Sequence, residues 1–196
     1  EIRPWVKYGW EMVLIVHEIV KRDNPLANKN KDTFVGKYHQ NCQKILQDNF
    51  WTAENLQQFL DEARRFQINK DFEKWVNLHN PYYEVLNFIE KLKKEKTKTG
   101  IITTKGKPFA KKILQQLNIM PEFIFGYESG TKLEIARKLS KEYEIIGFLE
   151  DRRKTLIDIK KNDDTKNIPC FLADWGYLKD SDRGDLIKDI RLLKLK

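Results

Sequence analysis

Two adjacent carboxylates, Glu150 and Asp151, have residue types and spacing that could do chemistry. They follow a short apolar run, residues 145–149, and precede a basic turn that opens a helical pattern. Such a run is typical of a strand buried on both faces of a parallel sheet, and ligands bind beyond the carboxyl ends of these strands. Neighbouring carboxylates repel each other, so a hard, oxygen-seeking cation such as Mg²⁺ suits them. The alternative is that both acids only stabilise the positive end of the following helix.

Thr103 and Lys132 hold comparable positions in the same half of the sequence. Thr103 ends a short β-rich run, where its hydroxyl and the adjacent backbone N–H groups could bind an anion. Threonine is also a good strand former, so a purely structural role stays open. Lys132 stands at a helix start, where a cation opposes the helix dipole at a cost of roughly 0.3 to 1 kcal/mol. A nearby anion would explain that cost, and a solvated lysine is the alternative.

The elements that must position these residues are strands alternating with helices from residue 80 onward. Asn80 as N-cap and Pro81 at the first helical position start a helix through about Lys96. The alternation predicts right-handed crossovers and one parallel sheet, which is an α/β class with a Rossmann-like core. The predicted strands are residues 99–104, 123–125, 145–150 and 170–173, and the further predicted helices are residues 109–117, 132–143, 154–161 and 186–193.

Residues 1–79 predict an all-helical lobe instead. Residues 10–22 are too long and too apolar for a typical strand and read as a buried helix. No stretch of this half has the pattern of a strand. The other predicted helices follow a polar break at residues 24–32 and lie over about residues 34–48, after a Thr52 cap, and around residues 72–78.

Composition narrows the class of protein. With 196 residues, 40% of them hydrophobic and 34% charged, the chain can form either one sizeable domain or a core with a smaller appended lobe. No apolar run reaches the roughly 20 residues that span a bilayer, and no signal-like segment is visible, so a cytoplasmic protein without a membrane partner is expected. Cys42 and Cys170 are too few and too far apart for a disulfide framework or a zinc site.

The net charge of +8 raises the possibility of a nucleic-acid partner. Residues 1–90 hold 12 Lys and Arg against 13 Asp and Glu, which leaves 25 against 16 in residues 91–196. The excess includes a cluster at a helix end, where cations are favoured in any case: Lys91, Lys93, Lys94, Lys96 and Lys98. Without zinc-finger spacing or an RNA-binding aromatic strand, the pattern argues against nucleic acid.

The order of these signals resembles the haloacid dehalogenase-like hydrolase superfamily. Residues 101–105, Ile-Ile-Thr-Thr-Lys, resemble its second motif, and Lys132 in Gly-Thr-Lys-Leu-Glu resembles its third-motif lysine. Residues 148–151, Phe-Leu-Glu-Asp, resemble its fourth motif in the form found in the phosphoglycolate-phosphatase-like and β-phosphoglucomutase-like branches. Residues 175–177, Trp-Gly-Tyr, are also similar to that branch.

The resemblance covers about residues 80–196 and implies a Mg²⁺-dependent phosphatase for a small phosphorylated metabolite. Residues 1–79 would be the helical cap inserted between the first and second motifs. Thr103, Thr104 and Lys132 would bind the transferring phosphoryl group, with Thr103 and Lys132 catalytic. Glu150 and Asp151 would hold Mg²⁺.

The family's first motif has no counterpart before this cap. That motif is an Asp-x-Asp ending a buried central strand, and its first Asp is the nucleophile that forms an aspartyl-phosphate. The sequence contains only Asp180-Ser181-Asp182, in a polar loop, which we reject as a nucleophile. We expect an upstream segment to carry the missing strand, and the chain without it to be inactive. Otherwise neighbouring strands would close the gap or another chain would fill it.

A function from another class is also open. A non-catalytic protein of the same fold could use the basic face around Lys91 to Lys112 to bind an acidic partner. The upstream segment discriminates between the two, because an apolar strand ending in Asp-x-Asp favours the enzyme.

Overall fold

The computed structural model describes residues 2–23, 26, 29–185 and 189–195. The chain divides into two compact units, which we call the first unit, Glu1–Leu78, and the second unit, His79–Lys196. No helix of the described residues is both long and apolar enough to cross a membrane.

The first unit contains only helices within the residues described. They are α1 Glu11–Val20, α2 Lys29–Gly36, α3 Tyr38–Asp48, α4 Ala53–Lys70 and α5 Phe72–Val76. The predicted N-cap residue of α4 is confirmed, because Thr52 Oγ1 accepts the backbone N–H of Asn55 at 3.1 Å. The helix predicted over residues 34–48 is wrong in one respect: it breaks at Lys37, whose φ of −124° and ψ of 35° are not helical.

The core of the first unit is apolar, and three carboxylates of this unit are also buried: Glu11, Glu18 and Asp61. Leu14 and Ile15 of α1 pack with Cys42 and Ile45 of α3. Glu11 is buried too, and its Oε2 accepts the backbone N–H of Lys7 at 2.6 Å and the hydroxyl of Tyr38 at 2.9 Å. The predicted polar break includes residues 24, 25, 27 and 28, which lie outside the described residues, and α2 begins within it.

The second unit alternates strands and helices, which confirms the α/β class. Its elements are α6 Tyr83–Lys94, β1 Gly100–Ile102, α7 Lys107–Gln116, β2 Phe123–Phe125, a 3-10 turn Tyr127–Ser129, α8 Lys132–Leu139, β3 Phe148–Glu150, α9 Arg153–Lys161, β4 Cys170–Ala173, α10 Asp180–Arg183 and β5 Ile190–Leu193.

The strands form two parallel sheets rather than the single sheet that we predicted. β1 pairs with β2, with Ile101 opposite Ile124, and a separate sheet has the order β3-β4-β5, with Leu149 opposite Phe171. Sequence alternation predicts parallel strands joined by crossovers, but it does not decide which strand edges form hydrogen bonds. Among the described residues, the crossover through α8 therefore joins strands of two different sheets.

In the described part of the chain each sheet has two edges without a strand partner, at β1 and β2 in one sheet and at β3 and β5 in the other. Phe148 N donates to Pro169 O at 2.8 Å, on the side of β4. Because alternate residues of a parallel strand direct their N–H and C=O groups to opposite sides, Leu149 directs its groups away from β4. Thr103 N donates to Phe125 O at 2.9 Å on the side of β2, so the groups of Gly100 and Ile102 point to the opposite edge of β1.

Two predicted helix boundaries need correction. Residues 190–193 form β5 instead of a helix, with Ile190 buried and Arg191 exposed in register with β4, while residues 186–188 lie outside the described residues. The helix predicted from Pro81 begins at Tyr83, because Tyr82 is extended, with φ of −82° and ψ of 107°, and Asn80 is not its cap.

The hydrophobic core of the second unit lies on the three-stranded sheet. Its buried members are Ala136, Leu156, Ile159, Ile168, Cys170, Leu172, Leu178 and Ile190. β1, β2 and α6 contribute no buried residue. β3 is not buried on both faces as predicted, because Leu149 remains 39% exposed.

Candidate functional site

Glu150 is the buried anion at the carboxyl end of β3. Its side chain is only 5% exposed, and its Oε2 forms an ion pair with Lys132 Nζ. The other oxygen, Oε1, accepts the backbone N–H of Arg152 at 3.1 Å. Strand β3 thus ends in a carboxylate that both a cation and a main-chain donor hold in place.

Lys132 reaches this carboxylate from the first turn of α8. The helix begins with a capping box, in which Thr131 Oγ1 accepts the N–H of Glu134 at 3.2 Å and Glu134 Oε2 accepts the N–H of Thr131 at 2.7 Å. The box fixes the start of the helix at Lys132, where a cation alone would be unfavourable. Glu150 is the nearby anion that compensates for this placement.

Burial raises the pKa of Glu150, because the protein interior disfavours its charged form. The neighbouring Lys132 ammonium lowers that pKa, while the adjacent Asp151 carboxyl group raises it. Two carboxylates held side by side repel each other. A divalent cation could bind between them and relieve that repulsion.

Asp151 faces a cleft of about 260 Å³ at the ends of β3 and β4. Its Oδ2 accepts the backbone N–H of Tyr177 at 3.1 Å. The side chains of Tyr82, Trp175 and Tyr177 also line the cleft, so carboxylates and aromatic rings share one opening.

Thr103 lies at the end of β1, in the other sheet. Its Oγ1 accepts the N–H of Lys105 at 3.1 Å, a local turn, and Thr104 beside it is exposed. Among the described residues, no hydrogen bond or ion pair joins Thr103 or Thr104 to Lys132 or to the acid pair. The structure therefore brings Lys132, Glu150 and Asp151 together, and within the described residues neither threonine bonds to any of the three.

The acid pair matches Mg²⁺ in ligand type but does not form a complete protein cage. No group of three His, Cys, Asp or Glu side chains that could hold a metal ion occurs in the described part of the chain. Mg²⁺ commonly takes one or two carboxylates and completes its shell with substrate phosphate and water. Glu150 and Asp151 supply that minimum.

The reasoning from sequence noted residues 175–177 only as a similarity to the family and did not place them beside Asp151. Gly176 would place a Cβ 2.1 Å from Asp151 Cβ, and the hydroxyl of Tyr82 donates to Trp175 O at 3.0 Å. A glycine between two aromatic residues directly after a strand was the available signal for a close backbone approach.

The comparison with family models agrees with this fold. The model described as haloacid dehalogenase-like hydrolase matches residues 12–134, which include Thr103 and Lys132 and end before the acid pair. The chain belongs to the haloacid dehalogenase-like hydrolase family. The predicted membership of this superfamily is thereby confirmed. Neither the comparison with curated proteins nor the one with solved structures found a match.

Proposed function

We propose that this hydrolase is a Mg²⁺-dependent phosphatase that acts on a small phosphomonoester through an aspartyl-phosphate. The observation that carries the proposal is the ion pair between Lys132 and Glu150, with Asp151 adjacent, at the carboxyl end of β3. This is the edge of a parallel sheet where ligands of α/β proteins bind.

Each of the predicted site residues has a role in this proposal. Lys132 binds phosphoryl oxygens and offsets their charge, while Thr103 and Thr104 bind them through hydroxyl and backbone N–H groups. Glu150 and Asp151 hold Mg²⁺, which would supply Lewis-acid charge neutralisation when bound.

The nucleophilic Asp is proposed to come from a segment upstream of the first unit. The unpaired edges of β1 and β3 support this, because a parallel strand between them would satisfy both. Asp182 is a poor substitute, since its Oδ2 already accepts the N–H of Lys179 at 2.9 Å within α10.

Hydrolysis of p-nitrophenyl phosphate with Mg²⁺ tests the proposal. The chain should be inactive alone and active when extended upstream by an apolar strand that ends in Asp-x-Asp. In the extended protein, Lys132→Ala should abolish most of the activity, whereas Lys138→Ala, an exposed lysine on the same helix, should not. Equal activity with and without the extension would overturn the proposed source of the nucleophile.

The binding-protein alternative remains a prediction that no specific contact favours. Lys91 pairs with Glu95 at 4.0 Å and Lys98 with Glu122 at 3.5 Å, so the basic face is partly neutralised within the chain. Salt-sensitive retention on an acidic polymer that disappears when the cluster is neutralised would support this alternative.

A further inference from the structure

The turn after β4, residues 174–177, lies directly against the acid pair. Gly176 N donates to Ala173 O at 3.1 Å, which closes the turn. From one side the hydroxyl of Tyr82 donates to Trp175 O at 3.0 Å. From the other, Arg183 Nε donates to Asp174 Oδ1 at 2.6 Å and its Nη2 to Asp174 O at 3.2 Å. The turn is therefore anchored by two side chains, that of Tyr82 just before α6 and that of Arg183 in α10.

The contact between this turn and Asp151 depends on the absence of a side chain at position 176. A Cβ built on Gly176 would lie 2.1 Å from Asp151 Cβ and 2.9 Å from Oδ2, closer than such atoms ever approach. The glycine is needed for space, because the backbone of the turn occupies the room that a methyl group would take. At this approach Tyr177 N–H bonds to Asp151 Oδ2 at 3.1 Å.

We propose that the turn formed by residues 174–177 positions Asp151 as a metal ligand. Its main chain engages Oδ2 through Tyr177 N–H, and the bare backbone of Gly176 sets how far the side chain can swing. Gly176 and Tyr177 are thus positioning residues for the acid pair. The functional consequence rests on the proposed role of Asp151 in holding Mg²⁺, whereas the positioning can be measured without any metal.

This arrangement matters because the acid pair supplies only two protein ligands. With so few, each carboxylate must already point correctly for binding to be favourable, since ordering a mobile side chain on binding weakens affinity. Groups that orient a metal ligand typically change metal affinity by about 10 to 100-fold when they are removed. An effect of that size is expected here from the turn alone.

Gly176→Ala in the full chain is the test, with Gly184→Ala as the matched control. A Cβ at Gly184 meets nothing within 4 Å, so the same substitution there is sterically free. Without metal, amide hydrogen exchange of Tyr177 should be at least about 10-fold faster in Gly176→Ala than in the wild type. Titration with Mn²⁺ alone should give an affinity about 10 to 100-fold lower. Gly184→Ala should match the wild type in both measurements.

Asp151→Ala keeps the proposal falsifiable if Gly176→Ala fails to fold. It removes the acceptor, so Tyr177 exchange should again accelerate; exchange as slow as in the wild type would show that the hydrogen bond does not exist. In folded Gly176→Ala, unchanged exchange or unchanged Mn²⁺ affinity would overturn the positioning role. Accelerated exchange in a chain whose wild type binds no Mn²⁺ would instead overturn the proposed metal function and leave only the contact.

Discussion

The two sheets of the second unit differ in how many of their side chains are buried. The sheet β3-β4-β5 has a buried cluster that includes Leu156, Leu172 and Ile190, and it carries the ion pair between Lys132 and Glu150. The sheet β1-β2 has no buried residue in either strand. A three-stranded parallel sheet covered by α8 and α9 is thus organised well enough to hold a buried charge, whereas the two-stranded sheet is not.

This difference in burial means that the predicted site residues lie in two parts of the second unit, one beside the well-packed sheet β3-β4-β5 and one beside the less buried sheet β1-β2. Lys132, Glu150 and Asp151 lie together in the first, and Thr103 follows a strand of the second. An open strand edge is a position where a sheet can accept a further strand. A strand bonded to the open edges of β1 and β3 would give the two parts a common core.

The largest predicted effect is a difference in free energy of unfolding between substitutions at the two sheets. Leu156→Ala removes a fully buried side chain and should lower the free energy of unfolding by about 2 to 5 kcal/mol. Ile102→Ala in β1 should cost about 1 kcal/mol, because a half-buried side chain leaves no closed cavity. Urea unfolding of both variants measures the contrast. Equal losses would show that both sheets are packed alike.

A smaller effect is expected from removing the cation at the acid pair. Lys132→Met leaves Glu150 buried without its partner and should cost about 2 kcal/mol at neutral pH, less than for a fully buried pair because Lys132 is 22% exposed. Lys138→Met, on the exposed face of α8, is the control and should change the free energy of unfolding by less than about 0.5 kcal/mol. Similar values for the two variants would mean that the ion pair is not formed in solution.

The free energy of unfolding should also depend on pH, because Glu150 is buried. The folded-state pKa of Glu150 is raised above 4.5, chiefly by burial, so the stability that its protonation contributes is complete below about that pH. This contribution is lost as pH rises through the folded-state pKa. Relative to Glu150→Gln, the wild type should therefore lose free energy of unfolding as pH increases from about 4.5 towards neutrality. Unfolding curves at several pH values measure the difference, and a constant difference would contradict the raised pKa.

The smallest effect contrasts the capping threonine of α8 with an exposed threonine that follows β1. Thr131→Ala removes the side chain of a capping box at α8 and should cost about 1 kcal/mol. Thr104→Ala, an exposed threonine after β1, should change the free energy of unfolding by no more than about 0.3 kcal/mol. Thermal unfolding compares the stability of the two variants. A larger loss of stability for Thr104→Ala than for Thr131→Ala would contradict the capping role of Thr131.

The sequence predicted part of the local order, because some of that order depends on local signals. Thr52 marks a helix start through its own hydroxyl group, and the apolar run before Glu150 marks the end of β3. The local signal at Asn80 was wrong, and prediction also failed where partners distant in sequence decide the outcome. Residues 190–193 carry apolar side chains compatible with a helix, and only pairing with β4 makes them a strand.

The same reason explains what was missed at the site. Lys132 was a candidate because its charge is unfavourable at a helix start, a signal that is visible in one segment. The approach of Gly176 to Asp151 joins two segments whose distance the sequence does not state. The prediction of a single sheet was wrong for the same reason, because alternating strands and helices do not specify which strand edges pair.

Titration of the wild-type chain with Mg²⁺, followed by backbone amide resonances, tests the central claim that the Lys132, Glu150 and Asp151 cluster is a cation and phosphoryl site. The account predicts saturable shifts at residues 132, 151 and 177, with none at Thr52 or Cys42 in the first unit and none in Asp151→Asn. No saturable shift in the wild type, or the same shifts in Asp151→Asn, would contradict it.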